Sequence, residues 1–186
     1  HECGIALIRL LKPLEYYNMS KEDDDGLQTL QITNPKIYGY FDKDDNVYKI
    51  YQPGHDKYKF IKVNAHLQGF DQLEYNQPYL VICSSLKDAM CLKSFGYNVE
   101  VIAPDSENTI IKPYIVENLK SKYKKVITLF DNDKAGHAAI NKYLLHFNIK
   151  GFYLTLSKDL SDAVCEYGFD KVHAQLKELL SKTLKL

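Results

Sequence analysis

Four short apolar runs, Tyr79-Leu-Val-Ile-Cys83, Val99-Glu-Val-Ile-Ala103, Lys125-Val-Ile-Thr-Leu-Phe130 and Gly151 to Leu156, recur in the second half of this chain with a helix-length segment after each. Strands of five or six residues that are apolar throughout, rather than alternately, bury both faces. Spaced by helices, they predict a parallel sheet covered by helices on both sides. The helices are expected from about Ser85 to Phe95, ending on Gly96, from Lys112 to Tyr123, from Asp133 to Phe147, and in two stretches that finish the chain. The glycine after Phe95 is the usual helix terminator, since it alone turns left-handed without steric cost.

The first half follows a different grammar. From Ile37 to Val63, short runs of aromatic and β-branched residues (Ile37 to Phe41, Val47 to Tyr51, Phe60 to Val63) are separated by Asp44-Asp-Asn46 and Pro53-Gly54. This predicts a β-meander with a hairpin turn at the first break and a loop at the second. Further upstream, the acidic run Glu22 to Gly26 reads as a solvated turn or connector, not a metal site, because adjacent acids on a loop repel one another. The chain is therefore expected to hold two modules, a β-rich basic subdomain over residues 1–76 and an α/β domain over residues 77–186. In the meander, Lys49, Lys57, Lys59 and Lys62 stand against Asp56 alone, with Tyr48, Tyr51 and Tyr58 interleaved. That mixture fits a strand surface that tracks a single-stranded backbone and stacks its bases. It fits equally an ordinary two-faced sheet with lysines on its wet side.

A length of 186 residues, 45% of them apolar, excludes a disordered tail, a collagen-like repeat and a disulfide miniprotein. Arg9 is the sole arginine, so anion contacts fall to lysine ammonium groups and backbone N–H. Cys3, Cys83, Cys91 and Cys165 lack the paired spacing of a zinc site. They read as reduced thiols of an intracellular protein, in the cytoplasm of a bacterium or phage-infected cell, or in an organelle nucleoid. The apolar stretch from Gly4 to Leu11 contains Arg9 and is too short to cross a bilayer, so no membrane partner is expected. A chain opening on His1 reads as a fragment with flanking domains missing.

In an open parallel sheet, ligands bind beyond the carboxyl ends of the strands. The residues there are Ser84-Ser-Leu-Lys87-Asp88, Asp105-Ser-Glu107, Asp131-Asn-Asp133 and Lys158-Asp159-Leu-Ser-Asp162, so every loop brings acid to one edge. Asp131 and Asp133 are two apart in extended chain, which puts both carboxylates on one side, as a hard divalent cation requires. Ala135 and Gly136 leave the next helix's first turn uncrowded, open to a phosphate. The alternative is that Asp133 only caps that helix and Asp131 takes a salt bridge.

The segment from Tyr79 to about Gly168 resembles a TOPRIM domain, the catalytic fold of bacterial and phage primases, topoisomerases and some nucleases. The likeness rests on Lys87-Asp88-Ala89 after the first strand, on Leu129-Phe-Asp131-Asn-Asp133-Lys-Ala-Gly136, and on Lys158-Asp159-Leu-Ser-Asp162 before Gly168. Upstream, Gly39-Tyr40, Lys49 to Pro53, Lys59-Phe60 and Leu67 to Leu73 resemble the basic subdomain that precedes TOPRIM in phage-type primases and primase-helicases. The resemblance implies a DNA primase core, a DNA-directed RNA polymerase that makes short RNA primers by metal-dependent nucleotidyl transfer. Its partners would be a single-stranded DNA template, ribonucleoside triphosphates and a replicative helicase, fused or separate. It further implies Mg²⁺ or Mn²⁺ on Asp131 and Asp133, with Asp159 and Asp162 completing the acidic cluster. Asp88 and Lys87 would join the catalytic set, and Lys49, Lys57, Lys59 and Lys62 would contact nucleotide or template phosphates.

One position departs from the family pattern. Ser84 stands where the family carries a glutamate, and a hydroxyl does not replace carboxylate charge at neutral pH. Either Glu107 supplies the missing carboxylate while Lys87 adds a phosphate contact, or the domain has lost chemistry and kept binding. A catalytically silent nucleic-acid-binding module of a replisome and a TOPRIM nuclease are the alternatives to an active primase. Ser84-Ser85 has no paired histidine for a hydrolase elbow, and His66, His137, His146 and His173 show no ligand spacing. The formal charge of +0 is a cancellation of basic and acidic stretches, not an absence of charge.

Overall fold

In the computed structural model the described residues are 11–23, 26–32, 36–106 and 109–184. Among them the chain divides into two compact units, one ending at His66 and the other beginning at Leu67. The segment 67–76, assigned from sequence to the first module, thus packs with the second.

The N-terminal unit contains β1 (Leu11–Leu14), β2 (Tyr17–Asp23), β3 (Gly26–Ile32), β4 (Ile37–Phe41), β5 (Val47–Tyr51) and β6 (Phe60–Lys62). Strands β1, β4, β5 and β6 lie in that order in one antiparallel sheet, while β2 and β3 form a separate hairpin. The meander and its two breaks are where the punctuation placed them. Glu22 and Asp23 end a paired strand instead of lying in a loop, with Glu22 opposite Leu27; Asp24 and Asp25 lie outside the described residues. At the β4–β5 turn the Asp42 carboxylate accepts from the N–H groups of Asp44 and Asn46, which closes the turn with a side chain. Ile37 and Ile50 fill the unit's core with Ile32, and Leu14, Tyr17, Val47, Ile61 and Val63 pack against them. Tyr48 is also interior, at 2% exposure, with its ring stacked on His66 at 4.1 Å. Strand alternation explains this, since Tyr48 shares the inward face with Ile50. The expectation that Tyr48 belongs to a base-stacking surface is corrected accordingly.

The C-terminal unit is built on β7 (Tyr79–Cys83), β8 (Val99–Ile102), β9 (Lys125–Leu129) and β10 (Gly151–Phe152), all parallel, in the order β10-β9-β7-β8. Five helices flank it: α1 (Leu86–Ser94), α2 (Pro113–Lys122), α3 (Lys134–Phe147), α4 (Leu160–Tyr167) and α5 (Phe169–Leu184). Leu80, Ile82 and Val126 on one sheet face meet Val116 and Leu119 of α2 and Ala139, Tyr143 and Phe147 of α3 in a single buried cluster. Val81, Cys83, Ile127 and Leu129 point the other way and are equally buried, and α1, α4 and α5 pack together on that side. The all-apolar runs had called for two covered faces. The fourth strand is shorter than its run, because pairing with β9 stops at Phe152.

The tether of residues 67–76 to this unit explains where the units divide. Gln68 and Ala103 form an isolated antiparallel bridge, and the Gln68 amide donates to the Pro104 carbonyl at 2.8 Å. Glu100, buried in β8, accepts from the backbone N–H groups of Glu74 and Tyr75 and from the Tyr123 hydroxyl. One carboxylate therefore ties loop, sheet and helix end together. Glu100→Ala would leave those donors without their acceptor, at about 1–3 kcal/mol for each one that stays buried. We expect a clear fall in urea-denaturation stability, together with faster amide exchange at Glu74 and Tyr75.

Candidate active site

The strand order makes the site. From β7 the chain moves outward to β8, then returns across β7 to β9, so the sheet's topological switch point lies at β7 and its neighbours, and the crevice beyond their carboxyl ends is where such sheets hold ligands. The loops after β7, β9 and β10 bring Ser84 to Asp88, Asp131 to Asp133 and Lys158 to Asp162 to this edge.

Three of these loops end in a helix cap. The side chains of Ser85, Asp133 and Asp159 accept from the N–H groups of Asp88, Gly136 and Asp162, opening α1, α3 and α4. Each is an extended residue with an oxygen that satisfies a backbone donor left free by the first turn. Asp131 caps nothing, and its position is set by packing. A Cβ on Gly136 would lie 2.1 Å from the Asp131 carbonyl oxygen, so only glycine lets α3 approach the loop this closely.

The carboxylates fall into two lysine-bridged pairs and one buried acid. The Lys158 ammonium lies 3.0 Å from Asp133 Oδ2 and 3.9 Å from Asp131 Oδ2. Lys87 Nζ lies 3.0 Å from Asp159 Oδ2 and 3.3 Å from Asp162 Oδ1. Asp88 is buried; its Oδ2 accepts from the Ser84 hydroxyl at 3.0 Å and from Ser85, and its Oδ1 from the Ser161 N–H at 3.2 Å. Burial pushes the Asp88 carboxyl up from the usual range, and the charges of Asp159 and Asp131 push the same way against its hydrogen bonds. The Gly136 N–H, helped by Lys158, holds Asp133 below that range. Burial works against ionisation of Asp159, but the Asp162 N–H, Lys87 and Ser161 outweigh it and keep that carboxyl low. Burial likewise opposes the Lys87 ammonium, yet its bonds to Asp159 leave it above its ordinary value.

Sequence reasoning expected Asp131, Asp133, Asp159 and Asp162 as one acidic cluster. Among the described residues no three His, Cys, Asp or Glu side chains stand together as metal ligands, and the acids are held two by two around lysines. Glu107 lies outside the described residues. Lys49 and Lys62 pair across β5 and β6, while Lys57 and Lys59 lie on the connector before and at the edge of β6. Lys158 was read only as part of a motif; its place beside the Asp131 and Asp133 carboxylates depends on the parallel pairing of β9 and β10, which sequence spacing does not reveal. The donor set fits a hard cation: Asp131 and Asp133 offer paired carboxylate oxygens, with an ammonium already lodged between them.

Residues 81–167 match the model of the Toprim-like family. The fold is shared with primase cores. The crystal structure of the Aquifex aeolicus primase, containing zinc-binding and RNA polymerase domains, is similar over 91% of this chain and 44% of that one, with 19% identity and a TM-score of 0.58. The primase fragment of the bacteriophage T7 primase-helicase is similar over 76% of this chain and 63% of its own, at 17% identity and a TM-score of 0.57. The RNA polymerase domain of the Mycobacterium tuberculosis primase, in complex with double-stranded DNA, is similar over 88% and 57%, at 15% identity and a TM-score of 0.57. The chain thus spans less than two thirds of each of these three structures. No curated protein matches the chain significantly. Among the described residues no helix is long and apolar enough to cross a membrane.

Two predictions follow from the geometry. Gly136→Ala gains about 1 kcal/mol of helix propensity, but overpacking against a backbone oxygen costs about 1–3 kcal/mol or more. The variant is expected to melt lower, with the amide resonances of Asp131 and Asn132 shifted. Lys158→Ala removes one of the groups that hold Asp133 low. Its carboxyl should therefore titrate at higher pH in a ¹³C NMR titration, while the Gly136 N–H still keeps it below the ordinary aspartate value. Because the folded carboxyl is depressed, the stability it contributes is present above the ordinary aspartate pKa and is lost only as pH falls through the folded value. No change from this group is expected between pH 5 and 8.

Proposed function

We propose that this chain is the RNA polymerase core of a DNA primase, making short RNA primers on single-stranded DNA. The observation that carries the reading is the Asp131/Asp133 pair beyond the carboxyl end of β9, in a Toprim-like domain whose fold is that of primase cores. Asp131 and Asp133 would hold Mg²⁺ or Mn²⁺, which would neutralise phosphate charge and help align the attacking 3′-hydroxyl. Lys158 and Lys87 are the ammonium groups bridging these carboxylates among the described residues. Drawn from their carboxylates to the triphosphate, they would supply positive charge to the substrate. Asp88, buried and pushed above the ordinary carboxylate range, would be the group placed to hold or pass a proton. The partner that brings such a core to its template would be a replicative helicase, fused or separate.

A second reading has its own observation. Ser84 occupies the position of the family glutamate and spends its hydroxyl on Asp88, an arrangement equally suited to a silent module that only binds nucleic acid. Primer synthesis from ribonucleotides on single-stranded DNA, with Mg²⁺ or Mn²⁺, distinguishes the readings. Primers that fall about 100-fold or more in Asp131→Asn, the several kcal/mol a bound cation contributes, support the primase. Binding without product, even with template-selecting domains restored, supports the silent module, and shortened substrate a nuclease. Asp131 caps no helix, so the variant should melt like the parent.

A further inference from the structure

The ammonium lodged between Asp131 and Asp133 stands on the oxygens that a hard cation would need. Lys158 Nζ lies 3.0 Å from Asp133 Oδ2 and 3.9 Å from Asp131 Oδ2. Mg²⁺ is coordinated at about 2.0–2.1 Å, so an ion on these carboxylates would compete with the ammonium for their oxygens and repel it at close range. Residence of the lysine and direct coordination of a cation are therefore alternatives. Exchange between them is built into the loops. The Lys158 side chain is 59% exposed, whereas those of Asp131 and Asp133 are 13% and 32% exposed; the acids are set into the edge and the lysine reaches them from solvent. Its backbone is held in place, because the Asn132 N–H, between the two acids in sequence, donates to the Lys158 carbonyl at 2.7 Å. The Asn132 side chain is in turn bonded to the His137 ring at 3.0 Å, which braces this link from α3. A displaced ammonium thus stays within a side chain's length of both carboxylates. Lys87, 54% exposed, repeats the arrangement at Asp159 and Asp162.

We propose that Lys158 is a tethered counter-cation that holds the Asp131/Asp133 pair closed to divalent metal until a triphosphate draws it away, so that metal and nucleotide are taken up together. An exposed ion pair is weak enough to be exchanged, and a point charge on a flexible stem exchanges one anionic partner for another of higher charge. A polyphosphate beside the cation gives the released ammonium that partner. Each ligand therefore favours the other, and by linkage the coupling is reciprocal. The lysine lowers the affinity of the unloaded pair for a cation without abolishing it, and it keeps the covered carboxylates compensated while no substrate is bound. The proposal rests on the reading of Asp131 and Asp133 as a metal pair and adds a condition on its loading.

The test is Mn²⁺ binding by the intact chain, read from the electron paramagnetic resonance of the free ion, first without nucleotide. Lys158→Met, which keeps the length of the stem, should bind Mn²⁺ about fivefold more tightly than the parent, the upper end for one exposed ion pair. That gain should vanish in the double variant Lys158→Met/Asp131→Asn. Lys134, an exposed lysine at the start of α3, belongs to neither bridge. Lys134→Met removes the same charge and should change the affinity less than about twofold, as expected of a lysine acting only through a screened field. Added inorganic tripolyphosphate should then raise Mn²⁺ affinity by a larger factor in the parent than in Lys158→Met, chelation by the polyphosphate itself being common to both. Unchanged or weaker binding in Lys158→Met, an equal gain in Lys134→Met, a gain that survives Asp131→Asn, or equal enhancement by tripolyphosphate would each overturn the proposal. A measurement on the unaltered protein decides the matter if Lys158→Met does not fold: on titration with Mg²⁺ the Lys158 ¹³Cε resonance should move with the same midpoint as the Asp131 and Asp133 carboxylate resonances. A Lys158 signal that stays fixed while the carboxylates respond would also overturn it. Absence of Mn²⁺ binding by the parent and every variant, with and without tripolyphosphate, would remove the metal pair itself; cation binding that ignores Lys158 removes the counter-cation alone.

Discussion

Carboxylates gathered at one sheet edge repel each other unless something positive stands between them, and two lysines do so here. Lys158 bridges Asp131 and Asp133, and Lys87 bridges Asp159 and Asp162. Each lysine comes from a different loop than the acids it serves, Lys158 from the loop after β10 and Lys87 from the first turn of α1, so the charge balance is made between loops that the sheet brings to one edge. Asp88 is the exception. It has no ammonium partner of its own, feels two neighbouring negative charges through protein, and is kept in place by hydroxyl and amide donors. The site therefore holds two kinds of acid: lysine-bridged ones, of which Asp133 and Asp159 are held below the ordinary range, and one buried acid pushed above it.

Much of the C-terminal unit was legible because its strands are buried on both faces. Tyr79 to Cys83 has no polar residue to make its register ambiguous, and Gly96, at positive φ, ends the following segment where a left-handed turn is required. The hairpin of β2 and β3 was not legible. Met19 to Asp23 mixes polar and acidic residues, and without a partner strand in view such a run reads as loop. The division between the units was also misplaced, for a long-range reason: Glu100 lies in a strand that reads as apolar, and nothing local says that its carboxylate reaches back to residues 74 and 75.

In the site itself, the acids could be found from the rule that loops after parallel strands hold the chemistry, but their grouping could not. An acidic cluster and two lysine-bridged pairs have the same composition. Which one forms depends on how β10 sits beside β9 and how α4 packs on α1. The tyrosines of the meander show the same limit on a smaller scale. Tyr48 and Tyr51 look equivalent in sequence, yet alternation sends one to the core and the other to the surface.

Ser85, Asp133 and Asp159 each hold the first turn of a helix as well as standing at the reactive edge. A chain of this kind that lost its chemistry would still be selected to keep them, because replacing a cap typically costs about 1 kcal/mol of a small stability margin. The acidic signature of the fold can in this way outlive its activity. Asp131, which starts no helix, is the position whose drift would record the loss.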